Sequence, residues 1–223
     1  MVTLEFYFDY LSPYAYLASL EIGPLCRRHG AELALRPVLF AGLLNHWDQR
    51  GPAEIPPKGR HSMRDCLRYA ALREVPLRPP RYHPFRPLNA LRVSLARVSG
   101  NEQARAVAAL FQLGWARGGD LGSAVEIRDA LDEAGLDGNA LLARAADPSV
   151  KQALREQTEA AVARGVFGIP TMRVGDELFW GLDQLRWLEL FLDGRDPLAK
   201  VDQESIRNQG RAAWRTGIEP LDG

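Results

Sequence analysis

The spacing of apolar positions changes character several times along this chain. Leu4 to Phe8 is a short β-type run, and Leu33 to Phe40 is a second. Between them Ala15, Leu17, Ala18, Leu20, Ile22 and Leu25 fall at mixed three- and four-residue spacings, which predicts a helix from Ser12 to about His29. His29-Gly30 supplies its stop, glycine being the usual residue where the chain must turn left-handed. Strand, helix and strand with short joints predict a βαβ unit with two parallel strands. From Leu88 to Gly165 good helix formers dominate, and breaks at Ser99-Gly100, Gly118-Gly119, Gly135 to Gly138 and Asp147-Pro148 divide the stretch. Five helices are expected, at about 88–98, 102–117, 123–134, 138–146 and 149–164, with Ser123 and Glu126 matching a capping box. β-type character returns in Pro170 to Val174 and Glu177 to Trp180, a hairpin across Gly175-Asp176. Asp183 is expected to cap a last amphipathic helix carrying Leu185, Leu188, Leu190, Phe191 and Leu192.

Two stretches lack period. Ala41 to Gly59 is rich in Gly and Pro and reads as a long ordered loop, a kind of segment that is often functional. Pro76 to Pro87 is too crowded with prolines for regular helix or central strand, whereas Arg60 to Arg73 between them reads as helix. The polar tail carries one weak helical pattern around Gln203 to Ala213. The order is therefore βαβ, an all-helical block, then ββα. Without the block it is the element order of a thioredoxin fold, a four-stranded mixed sheet flanked by helices. The expected organisation is a discontinuous domain of residues 1–40 and 166–195, a helical insertion over 60–165, an active-site loop over 41–59 and a tail over 196–223.

Composition narrows the function. Across 223 residues, 28 basic side chains balance 28 acidic ones, so no global charge points to nucleic acid or a membrane surface. No apolar run approaches the roughly 18 residues of a spanning helix. The first strand begins almost at Met1 without a secretory pattern, so a cytoplasmic address is expected. Cys26 and Cys66 each sit among apolar helical neighbours and read as buried thiols rather than a disulfide. The four histidines show neither an H-x-x-x-H pair nor close cysteines, so no metal is expected.

The chemistry concentrates at Phe8-Asp9-Tyr10-Leu11-Ser12-Pro13-Tyr14. Ser12 suits a helix cap because its oxygen accepts an otherwise orphaned N–H, and Pro13 suits the next position because its missing N–H had no partner there. A hydroxyl is thereby held at the positive end of a helix dipole, a place for an anion. Opposite it in such a fold lies a loop with a cis-proline, and Gly168-Ile169-Pro170-Thr171 stands in that place. Redox relatives carry Cys-x-x-Cys at the helix start. Ser12-Pro13-Tyr14-Ala15 forms no disulfide, which excludes thiol–disulfide exchange there. No histidine is adjacent in sequence to activate Ser12 as a nucleophile. Its better use is donating a hydrogen bond to a ligand's thiolate, above all that of glutathione.

At these residues the chain resembles the 2-hydroxychromene-2-carboxylate isomerases, relatives of kappa-class glutathione transferases within the DsbA-like thioredoxin superfamily. The likeness rests on Phe6-Tyr7-Phe8-Asp9-Tyr10-Leu11-Ser12-Pro13-Tyr14, on Val166-Phe167-Gly168-Ile169-Pro170-Thr171-Met172, and on Trp180-Gly181-Leu182-Asp183. A looser match runs from Gly51 to Lys58 with Arg64-Asp65 after it. The resemblance implies a glutathione-dependent isomerase acting on an unsaturated aromatic carboxylate by reversible thiolate addition, and a homodimer; a kappa-like transferase or peroxidase, or a non-catalytic binding module, are the alternatives. It implies that Ser12 is catalytic and contacts the glutathione sulfur. Ile169 and Pro170 would face the cysteinyl part, and Trp180, Gly181, Leu182 and Asp183 the γ-glutamyl end. Lys58 matches a basic residue of the active-site loop that holds a carboxylate, and Gln49 stands where kappa-like members carry asparagine. His83, after Tyr82, lies near a position where an aromatic contacts substrate in some isomerases, and Asn45 is a further pocket candidate.

Overall fold

The computed structural model describes residues 1–201. Four strands form one sheet: β1 (Thr3–Phe8), β2 (Glu32–Pro37), β3 (Thr171–Val174) and β4 (Glu177–Trp180), in the order β2-β1-β3-β4. β1 runs parallel to β2 and antiparallel to β3, and β3 pairs antiparallel with β4. α1 (Pro13–Arg28) makes the crossover, and α10 (Leu185–Leu192) follows the hairpin. Between β2 and β3 lie α2 (Phe40–His46), α3 (Pro56–Leu72), α4 (Leu88–Val93), α5 (Ala96–Ser99), α6 (Gln103–Phe111), α7 (Ala124–Glu133), α8 (Gly138–Ala145) and α9 (Pro148–Ala163). This is the thioredoxin-like mixed sheet with a large helical insertion.

From Leu4 to Phe8 β1 is buried on both faces, and all of it but Glu5 is apolar or aromatic. Leu4, Phe6 and Phe8 enter the main core, which continues through Tyr10, Tyr16, Phe111 and Trp115 into the insertion. Tyr7 points the other way into a smaller cluster with Val38, Leu43, Ala161, Val166 and Ile169. Glu5 shares that face, and its carboxylate meets Arg36, Arg164 and Arg173 at 2.9 to 3.2 Å.

The structure departs from the expected elements at a few places, each with an identifiable cause. β2 ends at Pro37, not Phe40, because Phe40 opens α2 and gives its amide to the Asp9 carboxylate. The stretch 41–59, expected as loop, holds most of α2, a 3-10 turn at Pro52–Glu54 and the start of α3. Its prolines sit in first helical turns, where no backbone donor is lost, so they mark starts rather than exclude helix. The helix expected at 88–98 breaks after Val93, where Ser94 Oγ bonds back to the Ala90 carbonyl at 2.8 Å and meets the Tyr10 hydroxyl at 2.5 Å. The next one ends in a π-helical turn, Gln112–Ala116. At Ser123 only half of the capping box forms: Ser123 accepts the Glu126 amide, but the Glu126 carboxylate turns to the Asp120 amide. The helical pattern around 203–213 lies outside the described residues.

Candidate active site

Ser12 caps α1, its Oγ accepting the Ala15 amide at 3.1 Å with Pro13 at the first helical position. The turn before it is held by Asp9, which is buried. Asp9 Oδ1 accepts the Leu11 amide at 3.0 Å and Oδ2 the Phe40 amide at 2.9 Å. Burial pushes the Asp9 carboxyl up to about 6, although those backbone donors pull the other way. One carboxylate thus joins the start of α1 to the start of α2.

Those two starts wall a cavity of about 470 Å³. Ser12, Tyr14, Phe40, Met63, His83 and Ile169 line it, with Leu11, Leu44, Glu54, Ser62 and Pro84 among the rest. Its surface is mainly apolar. The hydroxyl of Ser12 and the ring of His83 are polar groups within it, and no cysteine lines it. Cys66, beneath Tyr14, is wholly buried, and burial pushes its thiol up to about 12. Cys26 is likewise buried, with its thiol raised by desolvation. Tyr14 gives its hydroxyl proton to Asp65 at 2.9 Å, and desolvation raises its titration further.

Ile169-Pro170 is a cis peptide, and Ile169 lines the cavity wall opposite α1. The Pro170 carbonyl accepts the Gly181 amide at 2.9 Å, which brings the Trp180–Asp183 segment to the same end of the sheet. Two glycines there have geometric reasons. A Cβ on Gly168 would lie 2.5 Å from the Trp180 indole nitrogen, and Gly181 adopts φ 111°, a conformation side chains disfavour. Asp183 does not cap α10. It lies inside a 3-10 turn, Leu182–Gln184, that precedes the helix, and its carboxylate accepts from the Gln184 side chain at 3.0 Å. Both Leu182 and Asp183 border a separate groove between α1 and α10.

The remaining predicted residues divide. His83 lines the cavity, its Nε2 lying 2.8 Å from the Leu11 carbonyl. Asn45, Gln49 and Lys58 are exposed and do not line it, although Gly59, next to Lys58 in the first turn of α3, does. Reading the sequence missed Tyr14, Phe40, Ser62 and Met63 as cavity residues. The three- and four-residue spacing of Gly59, Ser62 and Met63 on a helix is the signal that would have found one face of them.

The DSBA-like thioredoxin domain family matches residues 3–193. The 2-hydroxychromene-2-carboxylate isomerase of Sphingobium xenophagum is 36% identical over 85% of this chain and 97% of its own length. Glutathione S-transferase kappa 1 of Rattus norvegicus is 32% identical over 75% of this chain and 79% of its own. A solved 2-hydroxychromene-2-carboxylate isomerase superposes with TM-score 0.79 at 26% identity, covering 86% of this chain and 95% of that one. With a serine-capped α1, a cis-proline across the cavity and these likenesses over nearly the whole sheet and insertion, the chain belongs to the DSBA-like thioredoxin family and, within it, to the 2-hydroxychromene-2-carboxylate isomerases.

Proposed function

We propose that this protein is a glutathione-dependent isomerase of an unsaturated aromatic carboxylate, of the 2-hydroxychromene-2-carboxylate type, serving the breakdown of aromatic compounds in the cytoplasm. The observation that carries the reading is Ser12: a hydroxyl, not a thiol, at the helix start lining a mainly apolar cavity. Its acceptor side is occupied by the Ala15 amide, which leaves its proton to point at an anion. The donor set suits a thiol ligand. Ser12 faces the sulfur, Ile169 and Pro170 the cysteinyl part, and Trp180, Gly181, Leu182 and Asp183 the γ-glutamyl end, with Asp183 matched in charge to an α-ammonium. When bound, glutathione supplies a thiolate that adds reversibly to an unsaturated carbon. Ser12 holds that negative charge by donation, and Phe40, Met63 and Pro84 exclude water and flank an aromatic ring. The likeness to an isomerase at 36% identity supports the substrate type, and that to a kappa transferase supports the thiol ligand.

A calorimetric titration with glutathione, followed by mass analysis of the product from a hydroxychromene carboxylate, tests the reading. An isomer of unchanged mass is expected. A stable glutathione conjugate favours transferase chemistry instead, and absence of glutathione binding leaves only a binding module of this fold.

A further inference from the structure

Of the described side chains lining the cavity, Tyr14, Glu54 and His83 are the ionisable ones. Two are unsuited to taking a proton from a thiol. Tyr14 already commits its own proton to Asp65. Glu54 has Oε1 engaged by the Gly51 amide at 2.6 Å, and a carboxylate is a weak base toward a thiol of pKa about 8.5. His83 is differently placed. Its Nε2 stands 2.8 Å from the Leu11 carbonyl. A carbonyl only accepts, so Nε2 carries the hydrogen and the neutral ring presents its lone pair at Nδ1. The ring, on an exposed residue, lies edge-on to Trp115, 5.6 Å between centroids, and near Phe85 at 6.0 Å. Trp115 is itself fully buried in the π-helical turn, where its indole N–H donates to the Tyr10 carbonyl at 2.8 Å. Distant segments therefore hold one imidazole against the residue that precedes Ser12.

We propose that His83 is the proton acceptor that makes the thiolate: Nδ1 takes the thiol proton of bound glutathione while Ser12 donates to the sulfur left behind. The inference rests on the glutathione reading above. The S–H bond breaks with its electron pair staying on sulfur, an N–H bond forms at Nδ1, and an imidazolium faces a thiolate. When the thiolate is released from substrate, the same proton is returned, so nothing is consumed. A histidine next to the sulfur also lowers the thiol's own titration by charge pairing.

His83→Gln separates the two duties of this ring. Its amide keeps a donor for the Leu11 carbonyl but offers no basic lone pair. Glutathione is titrated into both proteins by calorimetry in two buffers of unlike ionisation enthalpy, and bound thiolate is read by ultraviolet difference absorbance. The wild-type protein is expected to form thiolate near neutral pH with almost no net proton passed to buffer. His83→Gln is expected to bind glutathione within about threefold of wild type, yet to show about one tenth of the thiolate signal at neutral pH, recovering as pH rises toward the ordinary thiol range. Wild-type thiolate signal in His83→Gln overturns the assignment, as does release of about one proton per glutathione bound by the wild-type protein, a measurement that needs no variant. Absence of glutathione binding to the wild-type protein overturns the broader reading together with this one.

Discussion

The buried carboxylate of Asp9 accepts the amide of Phe40 at 2.9 Å, across a strand end and with no cation among its partners in the described residues. Its second oxygen holds Leu11, so the geometry of Ser12 depends on an uncompensated buried charge. Burial raises its titration to about 6, above an unfolded value near 4. The folded state therefore binds more protons than the unfolded state between those values. Asp9 contributes stability fully present below about pH 4 and lost as pH rises through about 6. In urea denaturation, the stability difference between wild type and Asp9→Asn is expected to shift by about 2–3 kcal/mol across this window, at about 1.4 kcal/mol for each unit. A difference that is flat with pH contradicts the assignment. Asn also accepts only one of the two amides, so turnover should fall together with the order of the turn.

Glu5, four residues earlier on the same strand system, has the opposite sign. Desolvation pushes its carboxyl up, but Tyr7 and the guanidinium groups of Arg164, Arg173 and Arg36 outweigh it and hold the pKa below the usual range. Its stability contribution is thus present above its unfolded value of about 4.3 and lost as pH falls through the lower folded one. The three arginines are 20% to 45% exposed and regain water if Glu5 is neutralised. Glu5→Gln is accordingly expected to cost about 1–2 kcal/mol, less than a fully buried pair. Chemical denaturation of both proteins in low and high salt checks it: the difference should shrink as salt screens the cluster.

Ser12→Ala removes both the cap and the donor. The cap is worth about 1 kcal/mol, so the fold should survive with a slightly lower Tm. Loss of the donor is expected to lower turnover by roughly 10²-fold or more, the scale of one well-placed oxyanion group. Steady-state kinetics beside a thermal melt separate the two effects, and unchanged activity removes Ser12 from the mechanism.

What was legible in the sequence follows from where the determinants are local. The strand at Leu4 to Phe8, the serine cap with Pro13, the left-handed Gly30 and the Glu177–Trp180 hairpin partner are each set within a few residues, and the structure has them where expected. Ile169-Pro170 is cis and borders the cavity as its place before β3 implied. Several of the misread positions are decided by a distant partner. Phe40 leaves the strand because Asp9 claims its amide, 31 residues away, and α4 stops because Ser94 meets Tyr10, 84 residues away. His83, which the resemblance named rather than any periodicity, reaches the site through the Leu11 carbonyl, across 72 residues. No periodicity encodes such meetings.

Lys58 offers a contrast with His83. Both are candidates for holding substrate and both are exposed, yet only His83 lines the cavity, whereas Lys58 stands in the first turn of α3 outside it. An exposed lysine gains little from one more anionic partner because water already satisfies it. Lys58→Ala is expected to leave kcat/KM for a carboxylate substrate within about threefold, a change below about 0.7 kcal/mol. A rise in KM of tenfold or more, at unchanged kcat, places the lysine on the substrate carboxylate after all.

Gly168→Ala probes the far side of the site. The added Cβ would sit 2.5 Å from the Trp180 indole nitrogen, so the ring must move. Trp180 is 51% exposed and rests edge-on against Phe167, 5.0 Å between centroids, so it swings out at small energetic cost. The backbone of Gly168 also matters, since its carbonyl takes the Thr171 hydroxyl at 2.8 Å, and alanine leaves that bond intact. Stability is therefore expected to change by less than about 1 kcal/mol, while a ligand lying along Trp180 loses its wall. Glutathione affinity should fall by about tenfold, matched by Trp180→Ala, and the double variant should be no worse than either single one, because both act through the same ring. Additive losses in that cycle, read by calorimetry, show instead that Gly168 and Trp180 act on the ligand separately.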